Sequence, residues 1–143
     1  MYRLALSYTC LNLILVVFSF YFCPLKKIAS VNTLLIAVAT TQIFIFVSLP
    51  ILIHYYQSLF PFLSKTGAMV LHVFIHYIPL LWVCTNFGFE DASIALLLFG
   101  VWYLSVRKNI KKIYSDKISI RKYDAIMFYS SLLFVVLINL CFS

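Results

Sequence analysis

Carboxylates are scarce in this chain. Of its 143 residues only Glu90, Asp91, Asp116 and Asp124 are acidic. Glycine is scarcer still, with Gly67, Gly88 and Gly100 alone, so close helix crossings of the G-x-x-x-G kind have no residues to build them. Four cysteines, Cys10, Cys23, Cys84 and Cys141, are scattered without a C-x-x-C pair, which argues against a disulfide framework, a redox couple or a zinc site. Charged residues make up only 10% of the chain. The net charge of +7 does not describe a nucleic-acid-binding face, because seven of the eleven Lys and Arg fall between Arg107 and Lys122, beside an apolar segment. Internal repeats and low-complexity stretches are absent, which leaves a carrier built on an inverted repeat without support.

What is present is hydrocarbon. The chain is 64% hydrophobic with a mean hydropathy of +1.04, more apolar surface than a water-soluble domain of this length can cover. Charges, prolines and polar clusters mark off five apolar segments, at 4–22, 33–53, 66–86, 92–106 and 125–142. At 1.5 Å per helical residue against a hydrocarbon core of ~30 Å, four are long enough to span and the fourth is short by roughly a turn. Trp102 and Tyr103 can anchor that short segment at the interface, with helix continuing past Val106. The expected fold is all-α, a single integral membrane bundle of about five transmembrane helices occupying residues 1–143.

Orientation follows from the basic residues. With the 107–122 loop in the cytoplasm, the N-terminus, Arg3 and Lys65 fall on the same side, against Lys26 and Lys27 on the other. The N-terminus is therefore expected inside and the C-terminus outside. The first apolar run is longer than a signal-peptide core and ends in Cys-Pro-Leu-Lys-Lys rather than small residues, so it reads as retained. The connection from His54 to Lys65 is aromatic, carries Pro61 and suits a segment lying among headgroups. The basic loop has Val106, Ile110, Ile113 and Tyr114 at helical spacing, a stripe able to rest on the membrane, although a solvated positive-inside loop is the favoured explanation over recognition of anionic lipid.

Polar groups inside spanning helices are costly without partners, which makes each a candidate site. They are Thr9 and Asn12 on the first segment, Thr40, Thr41 and Gln42 on the second, His72 and His76 on the third and Asn139 on the last. Thr9 and Asn12 are three residues apart and share a face, as do His72 and His76 at a spacing of four. Pro79 follows shortly and cannot donate to the carbonyl of Ile75, so the third segment is locally opened beside its histidines. The histidines admit three readings. As a metal pair they lack a third ligand, since Cys84 is two turns further on and no carboxylate is near. As structural residues they bond across helices, the role also open to Thr9, Asn12, Thr40, Thr41 and Gln42. As a general base, a neutral imidazole beside a hydroxyl activates it as a nucleophile. Counted from the segment starts, Thr9 and His76 differ in depth by roughly 7 Å, which helix tilt and Pro79 can close. Glu90 is about 21 Å along a helix from His76, so a catalytic pair would be a dyad rather than a triad.

At these residues the chain resembles the androgen-induced, FAR-type family of multispanning hydrolases that cleave fatty-acid esters of hydroxy fatty acids. Tyr8-Thr9-Cys10-Leu11-Asn12-Leu13 is similar to the family's segment in which a threonine nucleophile is followed three residues on by an acidic or amide residue. His72 to Pro79, HVFIHYIP, is similar to its histidine-bearing helix, and spacing to the proline points to His76 as the match of the catalytic histidine. The family's aromatic-Tyr-Pro stretch is replaced here by the basic loop around Lys111 and Lys112. The resemblance implies an intramembrane lipid ester hydrolase of the endoplasmic reticulum with Thr9 and His76 catalytic, Asn12 and His72 contacting substrate, and neither metal nor cofactor. Its partners would be the bilayer and a lipid substrate, with no nucleic acid. The competing class is a non-catalytic structural or accessory membrane protein, an organellar complex subunit or viral membrane component, whose histidines serve only in packing.

Overall fold

A computed structural model describes residues 6–82 and 89–142, and every element among them is helical. The all-α expectation holds. The order is α1 (Tyr8–Ser19), α2 (Cys23–Phe46), α3 (Leu49–Leu59), α4 (Lys65–Trp82), α5 (Phe89–Val106), a 3₁₀ turn (Arg107–Asn109), α6 (Ile110–Ile113) and α7 (Ile120–Phe142). Two of these, Cys23–Phe46 and Ile120–Cys141, are long and apolar enough to cross a membrane; Tyr8–Ser19 and Lys65–Leu81 are shorter apolar helices.

Several boundaries move from where hydropathy alone sets them, and each has a local cause. The first helix is 12 residues long, about 18 Å, rather than the whole of 4–22. It starts where Ser7 Oγ accepts the backbone N–H of Cys10, satisfying one of the donors that a helix N-terminus leaves free. The second helix begins at Cys23 rather than at 33, because Pro24 in its first turn has its φ already set for helix and lacks only an N–H that would be unpaired there. Lys26 and Lys27, read as marking a loop, therefore lie on helix. Near its other end the expected 33–53 segment is broken. Pro50 has no N–H to offer the carbonyl of Phe46, Val47 and Ser48 adopt extended backbone, and a new helix starts at Leu49. Residues 54–59 are consequently helical, and α3 buries Leu52 and Tyr56 against α4. The fourth segment gains length at its start, from Phe89, and the fifth from Ile120.

The core forms around α2. Ala29, Val31 and Leu35 are completely buried, as are Ala95 of α5 and Phe134 of α7, with Ile138 of α7 nearly so. Without a glycine motif the close approach is made by small residues, Ala29, Ser30, Ala37, Ala92 and Ala95, which let neighbouring backbones come near. The outward faces are apolar: Leu97, Val101 and Leu104 on α5 and Phe128, Leu132, Val136 and Leu140 on α7 are exposed. The stripe of the basic connection does not face outward. Ile110 and Ile113 are buried, Ile110 packing with Val47, Tyr103, Tyr123 and Ile126, so this segment caps one end of the bundle.

Polar side chains join the helices. Asn32 Nδ2 donates to Asn12 Oδ1 at 2.8 Å, Asn12 Nδ2 donates to Thr33 Oγ1 at 3.1 Å, and the Tyr8 hydroxyl donates to Asn32 Oδ1. Thr33 passes its own hydrogen to the carbonyl of Ala29 at 2.7 Å. At the capped end Arg107 grips both oxygens of Asp124, at 2.8 and 2.7 Å, and Tyr103 donates to the same carboxylate at 2.6 Å. Replacing Asn12 by Leu strands the buried amide of Asn32, and unfolding of the purified protein in detergent should show a loss of about 1 kcal/mol. An unchanged unfolding midpoint would contradict the network's role.

Candidate active site

Two helices bring the site together. On α1, the turn opened by Ser7 aims Tyr8 and Thr9 inward. Tyr8 is held at three points: its ring lies against Phe99 and Trp102, its hydroxyl is on Asn32, and its backbone N–H donates to the Tyr114 hydroxyl at 3.2 Å. Trp102 Nε1 donates to the carbonyl of Leu6 at 3.0 Å, fixing the strand of chain that enters the helix. On α4, Ser64 caps the start by accepting from the Gly67 N–H at 3.0 Å, and the helix runs through both histidines to Pro79 in its interior.

Thr9 Oγ1 and His76 Nε2 are 3.1 Å apart. The other ring nitrogen of His76, Nδ1, is 2.6 Å from the backbone carbonyl of His72. A carbonyl oxygen only accepts, so Nδ1 carries the ring hydrogen, and in the neutral imidazole Nε2 is left with its lone pair. Thr9 is then the donor and His76 the acceptor. That is the arrangement in which a hydroxyl is readied as a nucleophile by a base whose tautomer is held from behind.

His72 sits one turn earlier on α4, its ring 4.5 Å from that of His76 between centroids. Its Nδ1 is 2.7 Å from the hydroxyl of Tyr56 on α3, and Tyr56 and Phe44 pack edge-on against its ring. It does not bond to Thr9. His72 Nε2 is buried with no hydrogen-bond partner among the described residues. Asn12 takes the helix-joining role: both ends of its amide are engaged by Asn32 and Thr33 of α2, and it is buried. Thr40 and Thr41 return their hydroxyls to the carbonyls of Ile36 and Ala37, and Asn139 donates to that of Val135.

Two hollows meet at the pair. One, of about 120 Å³, has Thr9, His76 and His72 in its wall and extends between Ile36, Phe99 and Met127 toward the capped end. The other, of about 210 Å³, also touches Thr9 and His76 and runs along Leu13, Leu59 and Leu71. Both are overwhelmingly apolar. Among the described residues no group of three His, Cys, Asp or Glu side chains is placed to hold a metal ion. Asp124 is committed to Arg107 and Tyr103, and the Glu90 side chain and Cys84 lie outside the described residues.

Tyr56, Tyr114, Asn32 and Thr33 support the site without having been singled out by sequence. The signal for Tyr56 is its spacing of four from Leu52, which together form the buried face of α3. Asn32 was lost to a segment boundary drawn after Lys26 and Lys27.

No protein-family model matches this chain, and neither the curated proteins nor the solved structures contain a match to it.

With histidine nitrogens isotopically labelled in a bilayer nanodisc, the ¹⁵N spectrum should show His76 protonated at Nδ1 and bare at Nε2. A His76 carrying its hydrogen on Nε2 would mean that Thr9 only accepts.

Proposed function

We propose that this chain is a multispanning membrane protein that hydrolyses lipid esters at a Thr9–His76 dyad. The observation that carries the reading is the 3.1 Å contact between Thr9 Oγ1 and His76 Nε2, with the ring oriented by the His72 carbonyl. The membrane setting is supported by the two long apolar helices and by the apolar outer faces of α5 and α7. In this reading α1, α4 and α5 also cross, giving five spans, and α3 packs on α4 without crossing. The bond from the Tyr8 N–H to Tyr114 puts the start of α1 and the basic connection at one end of the bundle, the end that the distribution of Lys and Arg assigns to the cytoplasm.

The chemistry needs only the side chains and backbone carbonyl of this site, the ester and water. Thr9 Oγ1 attacks the ester carbonyl carbon as its hydrogen passes to His76 Nε2, and the resulting imidazolium keeps its Nδ1–H on the His72 carbonyl. Collapse of the tetrahedral intermediate expels the alkoxide, which takes the proton back from Nε2 and leaves as the alcohol. An acyl-threonine remains. Water then attacks that ester with His76 again as base, freeing the fatty acid and restoring the Thr9 hydroxyl. Both apolar hollows have Thr9 and His76 in their walls, which suits an ester carrying hydrocarbon. The reaction calls on no cofactor.

A second reading has an observation of its own. Asn12, Asn32, Thr33 and the Tyr56–His72 pair all use polar contacts to join helices, and the Thr9–His76 bond has the same form. In a non-catalytic scaffold it would do only that, at about 1 kcal/mol.

Turnover of a long-chain p-nitrophenyl ester by the purified protein in nanodiscs separates the two. Thr9→Ala should abolish it, a loss of at least about 10³-fold, and His76→Ala should lower it by about 10²–10⁴-fold while the protein remains folded. Absence of turnover in the unaltered protein, or its survival in Thr9→Ala, would leave the scaffold.

A further inference from the structure

An ester attacked at Thr9 develops negative charge on the former carbonyl oxygen, and that charge needs a donor that is already in place and dry. The amide of Asn12 is not free for this. We infer that His72 is the donor: its Nε2–H, held in that tautomer by Tyr56, receives the oxyanion formed at Thr9. The inference rests on the dyad reading and extends it to the second half of the reaction's electrostatics.

Counting hydrogens leads there. The Tyr56 hydroxyl and His72 Nδ1 are 2.7 Å apart, and both residues are buried. If Nδ1 carried the hydrogen, Tyr56 would accept, its own O–H would need a further acceptor, and His72 Nε2 would be a bare lone pair. Two buried polar functions would then go unmet. If Tyr56 donates, Nδ1 accepts and only one function is unmet, the N–H at Nε2. The second state is favoured by the full cost of one buried, unpaired group. It leaves a rigid N–H donor with no partner among the described residues, on a ring that lines the same cavity as Thr9 and His76. The ring stands 4.5 Å from the base between centroids. One residue thus serves both halves of the reaction, its carbonyl orienting His76 and its side chain meeting the oxyanion. Such an orphan is costly for a packing histidine and useful for a catalytic one, because the missing partner arrives with the substrate.

The substitution that separates these is His72→Asn, which keeps a polar atom near the Nδ1 position for Tyr56 and removes the donor at Nε2. Its counterpart His72→Gln places an amide N–H near Nε2. With the nanodisc-bound protein and the p-nitrophenyl ester, His72→Asn should lower kcat by about 10²-fold with KM within about threefold of the original, and His72→Gln should recover about tenfold of that loss. A kcat in folded His72→Asn within about threefold of the unaltered protein overturns the inference. Should His72→Asn fail to fold, Tyr56→Phe decides: freeing the tautomer should cost kcat several-fold, and an unchanged kcat overturns it. Thr9→Ala is run alongside. Its loss of turnover together with an active His72→Asn rejects the oxyanion role alone, whereas turnover persisting in Thr9→Ala rejects the dyad itself.

Discussion

The hydrogen bond from Thr9 to His76 joins α1 to α4, and its direction depends on a carbonyl one turn back along α4. In water such a bond would compete with solvent and mean little. Here the bond is partly buried among apolar side chains, and the His72 carbonyl fixes which of the two partners donates. Much of the surrounding structure bears on this contact. Tyr8 and Asn12, flanking Thr9, are tied to α2 through Asn32 and Thr33, and Tyr8 is tied to the basic connection through Tyr114. Trp102 holds the chain just before the helix by the carbonyl of Leu6. Thr9 therefore sits on a short helix whose position is over-determined by its neighbours, a condition a reactive group needs if a displacement of an ångström is not to cost rate.

The polar economy of the bundle sharpens the contrast between structural and chemical groups. Serine and threonine hydroxyls turn back to the carbonyl four residues earlier at Ser30, Thr33, Thr40, Thr41, Ser105 and Ser131, which gives their hydrogens an acceptor within the same helix, even where the oxygen, as at Thr33, also accepts from a neighbouring helix. The Thr9 hydroxyl is on an imidazole of another helix. Among the described residues two buried side-chain atoms lack a partner, Ser130 Oγ on α7 and His72 Nε2, one turn from His76 on α4. That His72, which carries this unpartnered nitrogen, and Thr9 line one cavity is what sets this region apart from ordinary helix pairing.

The helical character of the chain and the rarity of its polar residues are legible without coordinates. Thr9, His72 and His76 stand out because a hydroxyl or imidazole in an unbroken apolar run has few explanations. Helix limits are less legible, since hydropathy does not respond to the local rules that set them: Pro24 starts α2 ten residues before the apolar run begins, and Pro50 ends it early by withholding one N–H. Those shifts hid Asn32 and Tyr56, both assigned to loops, and with them the partners of Asn12 and His72. The depth offset anticipated between Thr9 and His76 assumed that segment starts share a plane, whereas α4 rises from a turn that follows α3. Nothing in the sequence told that Asn12 would face α2 and not the substrate, because spacing along one helix states which residues share a face and not which neighbour that face meets.

The most direct measurement is of the covalent intermediate. The protein in nanodiscs is mixed with a long-chain ester, quenched in acid within the first turnovers, digested and examined by mass spectrometry. The expected result is a fatty-acyl mass on the peptide containing Thr9, placed on that residue by fragmentation, and much reduced in His76→Ala, which lacks the base for attack. An acyl group on any other side chain, or its absence in protein that is actively hydrolysing the ester, would contradict the assignment of Thr9 as nucleophile.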